Sequence, residues 1–581
     1  MTVRNDEVAT LLEEFADLLE AKDVEYKPRA YRLAAENVRD YPESVADLAR
    51  EEGESGVSEI NRVGDAIAAK IVEYVESGEI AELEELREEL PVEMGALTGI
   101  EGVGPKTVGR LYEALGVRTL EDIESAARAG EIQAVKGFGP KTEQNILEGV
   151  AFARQSTRRQ LLSDAYPLSR SLLEYFEGVE AVERCETAGS LRRWKPTIGD
   201  VDVLAASDDG EAVVDAFREW EETDELIEAG TSKASVRAKG VRVDLRVVVP
   251  EEFGAALQYF TGSKDHNIAL RNYAIERDMK INEYGVFDVS AIEDADAGQR
   301  VGELVASESE AAMYGALDLP WIPPEIRENR GEIAAADDGD LPDLVAEADV
   351  RGDLHTHTDA SDGRETIEGM AAAAAERGYD YLAVTDHATG PGVVGGVGLD
   401  DEELLTHAER VREAAADADV ALFSGVEANI TADGELSVSD DVLAELDCVV
   451  ASPHAALDGD GTDRLVRAVE HPAVDVLGHP TGRQLNRRAG LDVDFERLAT
   501  AAADAGTALE VNANPNRLDL RGGAVGIVVE HGATVAVNTD AHAPTSLDYV
   551  TYGVHTARRG WAESADVLNA RDADGVRAFL E

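Results

Sequence analysis

Nine residues in the C-terminal part of the chain can ligate a metal, and each stands at the end of a short apolar run. His355 and His357 close Asp353-Leu-His355-Thr-His357, and Asp362 follows in Ser-Asp-Gly. His387 ends the run from Tyr381, Glu427 the run from Ala421, His454 the run from Cys448 and His479 the run from Val474. Asp540 and His542 end the run from Thr534. Between these runs lie Ala-rich helical segments, the alternation expected of a parallel sheet or barrel. In a β/α barrel the strand C-termini converge on one mouth. His355, His357, Asp362, His387, Glu427, His454, His479, Asp540 and His542 are therefore expected in one pocket. Mixed imidazole and carboxylate donors suit Mn²⁺, Zn²⁺ or Fe²⁺. Nine donors are enough for up to three such ions, a cluster able to activate water and neutralise a phosphodiester.

A second constellation lies upstream. Asp200 and Asp202 are two apart, which on a strand puts both carboxylates on one face while Val201 and Val203 face the core. In Val241–Val249, Val241, Val243, Leu245, Val247 and Val249 line one face, and Arg242, Asp244 and Arg246 the other. If the two strands are neighbours, Asp200, Asp202 and Asp244 form a carboxylate cluster suited to two Mg²⁺ or Mn²⁺ ions and to phosphoryl transfer. Gly189-Ser190 stands about ten residues before the pair. Its amides and hydroxyl can hold a triphosphate tail, with Arg193 as counter-charge.

A third motif occurs twice. Gly102-Val-Gly104-Pro-Lys106-Thr returns as Gly137-Phe-Gly139-Pro-Lys141-Thr, each copy opening a helix. Glycines leave backbone amides uncovered, and amides at a helix N-terminus take a phosphate. Lys106 and Lys141 add a cation. The pattern resembles the helix-hairpin-helix motif, which grips the DNA backbone without reading sequence. A third segment, Ile60 to Ala66, has the same shape, but Arg62 stands where the first glycine belongs.

The order Gly-Ser-Leu-Arg-Arg, Gly-Asp-Val-Asp-Val, Arg-Val-Asp-Leu-Arg and Tyr259-Phe260-Thr-Gly262-Ser resembles that of the family X DNA polymerases. The resemblance implies that Tyr259 and Phe260 pack beneath the incoming sugar and that Gly262 allows close approach. It implies that Asn267 contacts the nucleotide from the minor groove and Arg271 the template side. In residues 1–85 it implies a small lyase-type domain, in which Tyr31 and Lys70 match positions that bind a 5′-phosphate. Ala66 stands where lyase-competent members often carry Lys. The nine C-terminal ligands match the pattern of the polymerase-and-histidinol-phosphatase (PHP) domain, although Asp359-Ala360 replaces an aromatic found near the site in many members. Asp353, Asp386, Glu510 and Asn512 are candidates to orient its ligands, whereas His407, His471, His531 and His555 lack the strand-end placement and read as surface or structural.

These sites require several domains, and 581 residues are enough for about four. The expected architecture is multidomain: a helical lyase-type domain at 1–85, a helix-hairpin-helix domain at 86–158, an α/β nucleotidyltransferase palm with thumb at 159–320, a Pro-, Gly- and acid-rich linker at 321–348, and a parallel β/α, distorted TIM-like metal barrel at 349–581. Cys185 and Cys448 have no CxxC partner and read as free core thiols. With no signal pattern and no long apolar run, a cytoplasmic protein without membrane contact, and a monomer, is expected.

The net charge of −64, from 118 acidic and 54 basic residues, has the wrong sign for a nucleic-acid enzyme. The acids are spread along the whole chain and no lysine follows Lys280. This evenly acidic, lysine-poor surface resembles that of halophile proteins, for which molar salt cuts the Debye length to about 3 Å. The reading favoured by the motifs is a gap-filling DNA polymerase in DNA repair, using dNTPs on gapped or primer-template DNA, with a metal-dependent 3′–5′ exonuclease or related repair nuclease in the barrel. The alternatives are a barrel nuclease docked on DNA by an inactive palm, and a histidinol-phosphatase-like small-molecule phosphatase. The intact aspartates, Ser190 and Tyr259 argue against the first, and the paired hairpins against the second.

Overall fold

The computed structural model describes residues 5–581 except 25–26, 40, 42–44, 59, 61, 101–102, 157–158, 293, 296, 391 and 393–396. It divides into two compact units, Met1–Arg158 with Asn486–Ala489, and the remainder of 159–581.

The first unit is helical. Along Asn5–Ala21, Val8, Leu12, Phe15 and Leu19 recur at helical spacing and are all buried. They meet Ala34, Ala35 and Val38 from Lys27–Arg39 and Ile71 from Asp65–Ser77 in one core. Tyr41 lies between the helices Lys27–Arg39 and Val45–Val57, and the Pro42 that follows it lies outside the described residues.

Both Gly-Pro-Lys segments open helices, Pro105–Leu115 and Pro140–Ser156. Proline is suited to this first helical position because its missing N–H would have no intrahelical partner there. The third segment opens Asp65–Ser77 in the same way. Arg62 adopts φ 63°, in the left-handed region that Gly137 occupies at φ 93°. The missing glycine therefore does not prevent the turn.

In the second unit, a five-stranded sheet has the order Arg184–Thr187, Val201–Ala206, Val241–Val248, Lys233–Ala238, Thr223–Ala229. Val201–Ala206 and Val241–Val248 run parallel, and the other pairings are antiparallel. The expected alternation holds: Val241, Val243, Leu245 and Val247 are buried on one face. Helices Phe253–Thr261 and Lys264–Ile275 lead into a three-stranded antiparallel sheet.

Seven strands from Gly352–Thr356 to Val535–Asn538 are parallel and neighbour one another in chain order. The ring nearly closes where the first strand meets the chain after the last: Thr356 bridges Ala541, and the His357 amide donates to the Ala541 carbonyl at 2.9 Å. The strands are buried along almost their full length, as a sheet covered on both faces requires.

Residues 321–348, expected as a linker, are folded and packed. Arg327 is fully buried, donates to the Ile322 carbonyl at 2.8 Å and pairs with Glu310 at 2.5 Å. Arg192 makes two further bonds to Glu310, both 2.8 Å. Two guanidinium groups outweigh the burial that would raise the Glu310 carboxyl and hold it down at about 2. Cys448 is buried and Cys185 half-buried, both free thiols.

Candidate active sites

The palm site is built by register. Asp202 and Asp244 are direct partners across the parallel pair, and Asp200 immediately precedes its strand. One oxygen from each of the three carboxylates lies within 4.8 Å of the others. Burial, then the neighbouring charges of Asp200 and Asp244, raise the Asp202 carboxyl to about 7. Such mutual repulsion is relieved by a cation between the carboxylates, so the donor set fits a divalent metal. Arg242 bonds Asp244 at 2.9 Å.

Gly189 (φ 59°) begins the turn beside this cluster, and Ser190 follows it in the one-turn helix Gly189–Arg192. Arg193 caps that helix, and its guanidinium is held by Glu328 at 3.0 Å and by the Thr261 carbonyl at 2.7 Å. Tyr259 and Phe260 meet edge to face with ring centroids 5.1 Å apart, and Arg246 sits over the Phe260 ring. Asn267 donates to the Tyr259 carbonyl at 2.7 Å. A Cβ on Gly262 would come within 2.5 Å of Asn267 Oδ1, so the close approach at Gly262 is to this amide. Arg271 and Tyr259 line one cleft with Lys280 and Asn282.

The barrel brings eight of its expected ligands onto two carboxylates or into contact with them. Glu427, fully buried, has His387 Nδ1 at 2.6 Å, His479 Nε2 at 2.9 Å and His454 Nε2 at 3.3 Å. His355 Nε2 lies 3.4 Å and His357 Nε2 3.7 Å from the same group. Asp362 faces His542 at 3.3 Å and His387 at 3.4 Å. Asp540, the ninth, stands 3.2 Å from His357 Nε2.

Several of these ring nitrogens, on His355, His357, His454 and His479, are buried without a well-aligned hydrogen bond. Buried lone pairs left unpaired are costly, and convergent ones on imidazole and carboxylate fit divalent cations. Burial would raise the Glu427 and Asp540 carboxyls, but the surrounding imidazoles hold both well below the usual range. His479 (φ 25°) and Asp540 (φ 55°) are held in left-handed backbone, strain of the kind found where function fixes a side chain.

A further ring of groups fixes the ligands. Glu510 accepts from His355 Nδ1 at 2.8 Å and from the His479 amide at 2.6 Å. Asn512 donates to Asp540 at 3.1 Å, and Asp353 accepts from the His355 amide at 3.0 Å. Asp386 accepts from the Thr358 amide (2.8 Å), its hydroxyl (2.7 Å) and Ser361 (2.5 Å), tying down the loop that carries Asp362.

Two contributors have no strand-end signal. His407, on helix Asp401–Ala414, is buried and bonds Asp386 at 2.8 Å. Arg517 brings its guanidinium 3.7 Å from Asp540. His471 and His531 are peripheral, whereas His555 stacks on Trp194 of the palm at 3.6 Å and 4°.

In the first unit, Gly104 caps its helix without a side-chain bond, Pro105 has no N–H, and the Thr107 amide donates to the Gly104 carbonyl at 2.8 Å. Lys106 is exposed, 3.8 Å from Asp23, and Lys141 is exposed. A Cβ at Gly139 would meet open space, whereas one at Gly137 would meet Arg110. Gly102 lies outside the described residues. Tyr31 is not a surface contact: it is buried and stacked on Phe15 at 4.4 Å, and burial pushes its phenol up to about 12. Lys70 is paired with Glu82, and its ammonium sits 5.2 Å from the centroid of the Phe15 ring.

Family models match four stretches: a helix-hairpin-helix domain at 3–80, a SAM-like helix-hairpin-helix tandem at 94–151, the DNA polymerase beta thumb at 256–328 and the PHP domain at 353–513. The chain is 36% identical over 583 residues to DNA polymerase/3'-5' exonuclease PolX of Bacillus subtilis (strain 168), covering 99% of each. It is 28% identical over 288 residues to DNA polymerase lambda of Rattus norvegicus, covering 46% of this chain and 47% of that one. Over 209 residues it is 30% identical to a probable phosphatase of Shewanella sp. (strain MR-4), covering 34% of this chain and 77% of the relative.

Proposed function

The chain belongs to the family X DNA polymerases that carry a C-terminal PHP domain, and we propose that it fills short gaps at the palm and trims 3′ ends in the barrel. The observation that carries this reading is the presence in one chain of two separate donor sets, Asp200, Asp202 and Asp244 in the palm and the Glu427-centred cluster in the barrel. The division of labour follows the five segments 1–85, 86–158, 159–320, 321–348 and 349–581, with the first two gripping DNA and the fourth serving as a packed joint.

In the palm, Asp200, Asp202 and Asp244 would hold Mg²⁺ or Mn²⁺, which would supply the positive charge that nucleotidyl transfer needs. Gly189 and Ser190 receive the triphosphate tail with Arg193 as counter-charge. Tyr259, Phe260 and Gly262 form the floor under the sugar, with Asn267 and Arg271 on the base and template side. In the barrel, His355, His357, Asp362, His387, Glu427, His454, His479, Asp540 and His542 would hold up to three Mn²⁺, Zn²⁺ or Fe²⁺ ions, with Arg517 as a neighbouring cation beside Asp540. Divalent ions at such sites supply an activated oxygen nucleophile and stabilise the leaving oxygen. The amides opening Asp65–Ser77, Pro105–Leu115 and Pro140–Ser156 take DNA phosphates, with Gly102, Gly104, Lys106, Gly137, Gly139 and Lys141 in the paired hairpins. Tyr31 and Lys70 shape the small domain around Phe15, and Lys70 reaches a 5′-phosphate once Glu82 is displaced. No helix among the described residues is long and apolar enough to cross a membrane. A cytoplasmic monomer adapted to high salt accords with the dispersed acidity.

The reading is tested on a 5′-labelled primer bordering a short gap, with Mn²⁺ in molar KCl. Extension with dNTPs and shortening without them is the expected pair of results. Shortening in both lanes would favour a docked nuclease with an inactive palm.

A further inference from the structure

Arg559 follows the last turn of the barrel helix Val550–Arg558, yet its guanidinium reaches the palm. Its Nη1 donates to the backbone carbonyl of Arg193 and lies 3.3 Å from Glu328 Oε1. The same oxygen takes Arg193 Nε at 3.0 Å and has Lys195 Nζ at 3.3 Å. The remaining tie on Arg193 is Nη1 to the Thr261 carbonyl, 2.7 Å. Arg193 is thus fixed at its backbone by Arg559 and at two edges of its guanidinium by Glu328 and Thr261. A guanidinium has five N–H donors in a rigid fork, so the remaining donors keep a defined direction.

The surroundings reinforce this joint. Arg559 is 7% exposed, Arg193 and Glu328 both 12%. Trp194, next in the chain, adopts φ 53° and stacks on His555, while His555 Nδ1 and Arg558 Nε hold Glu325 at 2.8 and 2.7 Å. Three cations, Arg193, Lys195 and Arg559, surround the single carboxylate of Glu328, so positive charge is left over in a chain of net charge −64. An excess of cation beside the Gly189-Ser190 turn is what an arriving polyphosphate requires.

We infer that Arg559 is a positioning residue for nucleotide addition: through the Arg193 carbonyl and Glu328 it holds the Arg193 guanidinium where a nucleoside triphosphate tail arrives. The exonuclease barrel is in this way a working part of the polymerase nucleotide site. The inference rests on Arg193 as the triphosphate counter-charge.

The test is steady-state gap filling by the full-length protein and its Arg193→Met, Arg559→Met and Arg559→Lys variants, with inorganic tripolyphosphate as competitive probe. Exonuclease rate on single-stranded DNA without dNTPs reports that the barrel is folded. Arg559→Met is expected to raise KM for dNTP and to weaken tripolyphosphate inhibition by roughly tenfold, the scale of a lost charge-assisted hydrogen bond, with a much smaller change in kcat. Arg559→Lys recovers part of the effect, and Arg559→Met adds little on top of Arg193→Met because the two act through one group. Unchanged KM and tripolyphosphate inhibition in a folded Arg559→Met, beside an Arg193→Met that raises KM and weakens the inhibition, would overturn the inference while leaving the role of Arg193 intact. An Arg193→Met variant with unchanged KM overturns that role and the inference together. If Arg559→Met fails to fold, Arg559→Lys decides: a raised KM supports the inference and wild-type values overturn it.

Discussion

A Cβ on Gly189 would fall 2.0 Å from Oδ2 of Asp202. The glycine that begins the nucleotide turn is therefore pressed against the central carboxylate of the palm cluster, at a φ of 59° that other residues rarely adopt. Gly189→Ala must push Asp202 or the turn aside. Displacements of about 1 Å in such sites cost on the order of 100-fold in rate. The expected result is a loss of nucleotide addition of that size, with 3′ trimming unchanged, measured on the same preparation.

Asp202 also sets a pH dependence. Its carboxyl is raised to about 7 by burial and by Asp200 and Asp244. Below that value the metal-free folded protein holds a proton that the unfolded chain has already released above the ordinary carboxylate range. Folding stability from this group is therefore greatest at low pH and is lost as pH rises through about 7. Metal binding must expel the same proton, so divalent affinity has the opposite sign. The part of Mn²⁺ binding that is lost in Asp202→Asn reports the palm, and its affinity should rise up to about tenfold per pH unit below 7 and level above it. Affinity independent of pH across that range would contradict the assigned repulsion.

The clamp between Arg192, Glu310 and Arg327 gives a stability prediction. Glu310 is 8% exposed and Arg327 fully buried. Removing the carboxylate leaves a buried guanidinium without its counter-charge, a change that costs about 3–5 kcal/mol. Glu310→Gln should lower the denaturant midpoint of the second unit accordingly, whereas Glu124→Gln, in the i,i+4 pair with the exposed Arg128, should change stability by less than about 1 kcal/mol.

The charge of −64 bears on salt. Self-repulsion of this size destabilises the compact state at low ionic strength and is screened at molar salt. Circular dichroism over a KCl series should show folding strengthen toward molar salt. A chain fully folded at low salt with no gain at high salt would remove the halophilic reading.

The barrel cluster was legible because six apolar runs each lead to one or two of the ligands, with Asp362 in the loop after the first, and parallel strands deliver such ends to one mouth whatever lies between them. The Asp202 and Asp244 pairing was legible for the same kind of reason, since alternation along each strand fixes the face and only the neighbour relation had to be assumed. Arg62 was misleading: a left-handed turn residue is read from glycine, and here an arginine adopts φ 63°. His407 carries no local signal because a helix delivers it to Asp386 from outside the strand ends. The composition of 321–348 suggested a boundary or linker, and its packing was not legible because the buried Arg327 is matched by Glu310, a partner that no local pattern reveals. Arg559 and Arg193 are 366 positions apart and Glu328 and Arg193 135 apart, so the joint between palm and barrel exists only in three dimensions.

The most direct test of the central claim, that one chain carries two separate metal sites with opposite effects on a 3′ end, is a single gel with Asp202→Asn and Glu427→Gln beside the unaltered protein. Each is incubated with a gapped, 5′-labelled primer and Mn²⁺, with and without dNTPs. Asp202→Asn should shorten the primer in both lanes, and Glu427→Gln should extend it with dNTPs and leave it intact without them. Loss of both activities in either folded variant, or trimming that survives Glu427→Gln, would contradict the account.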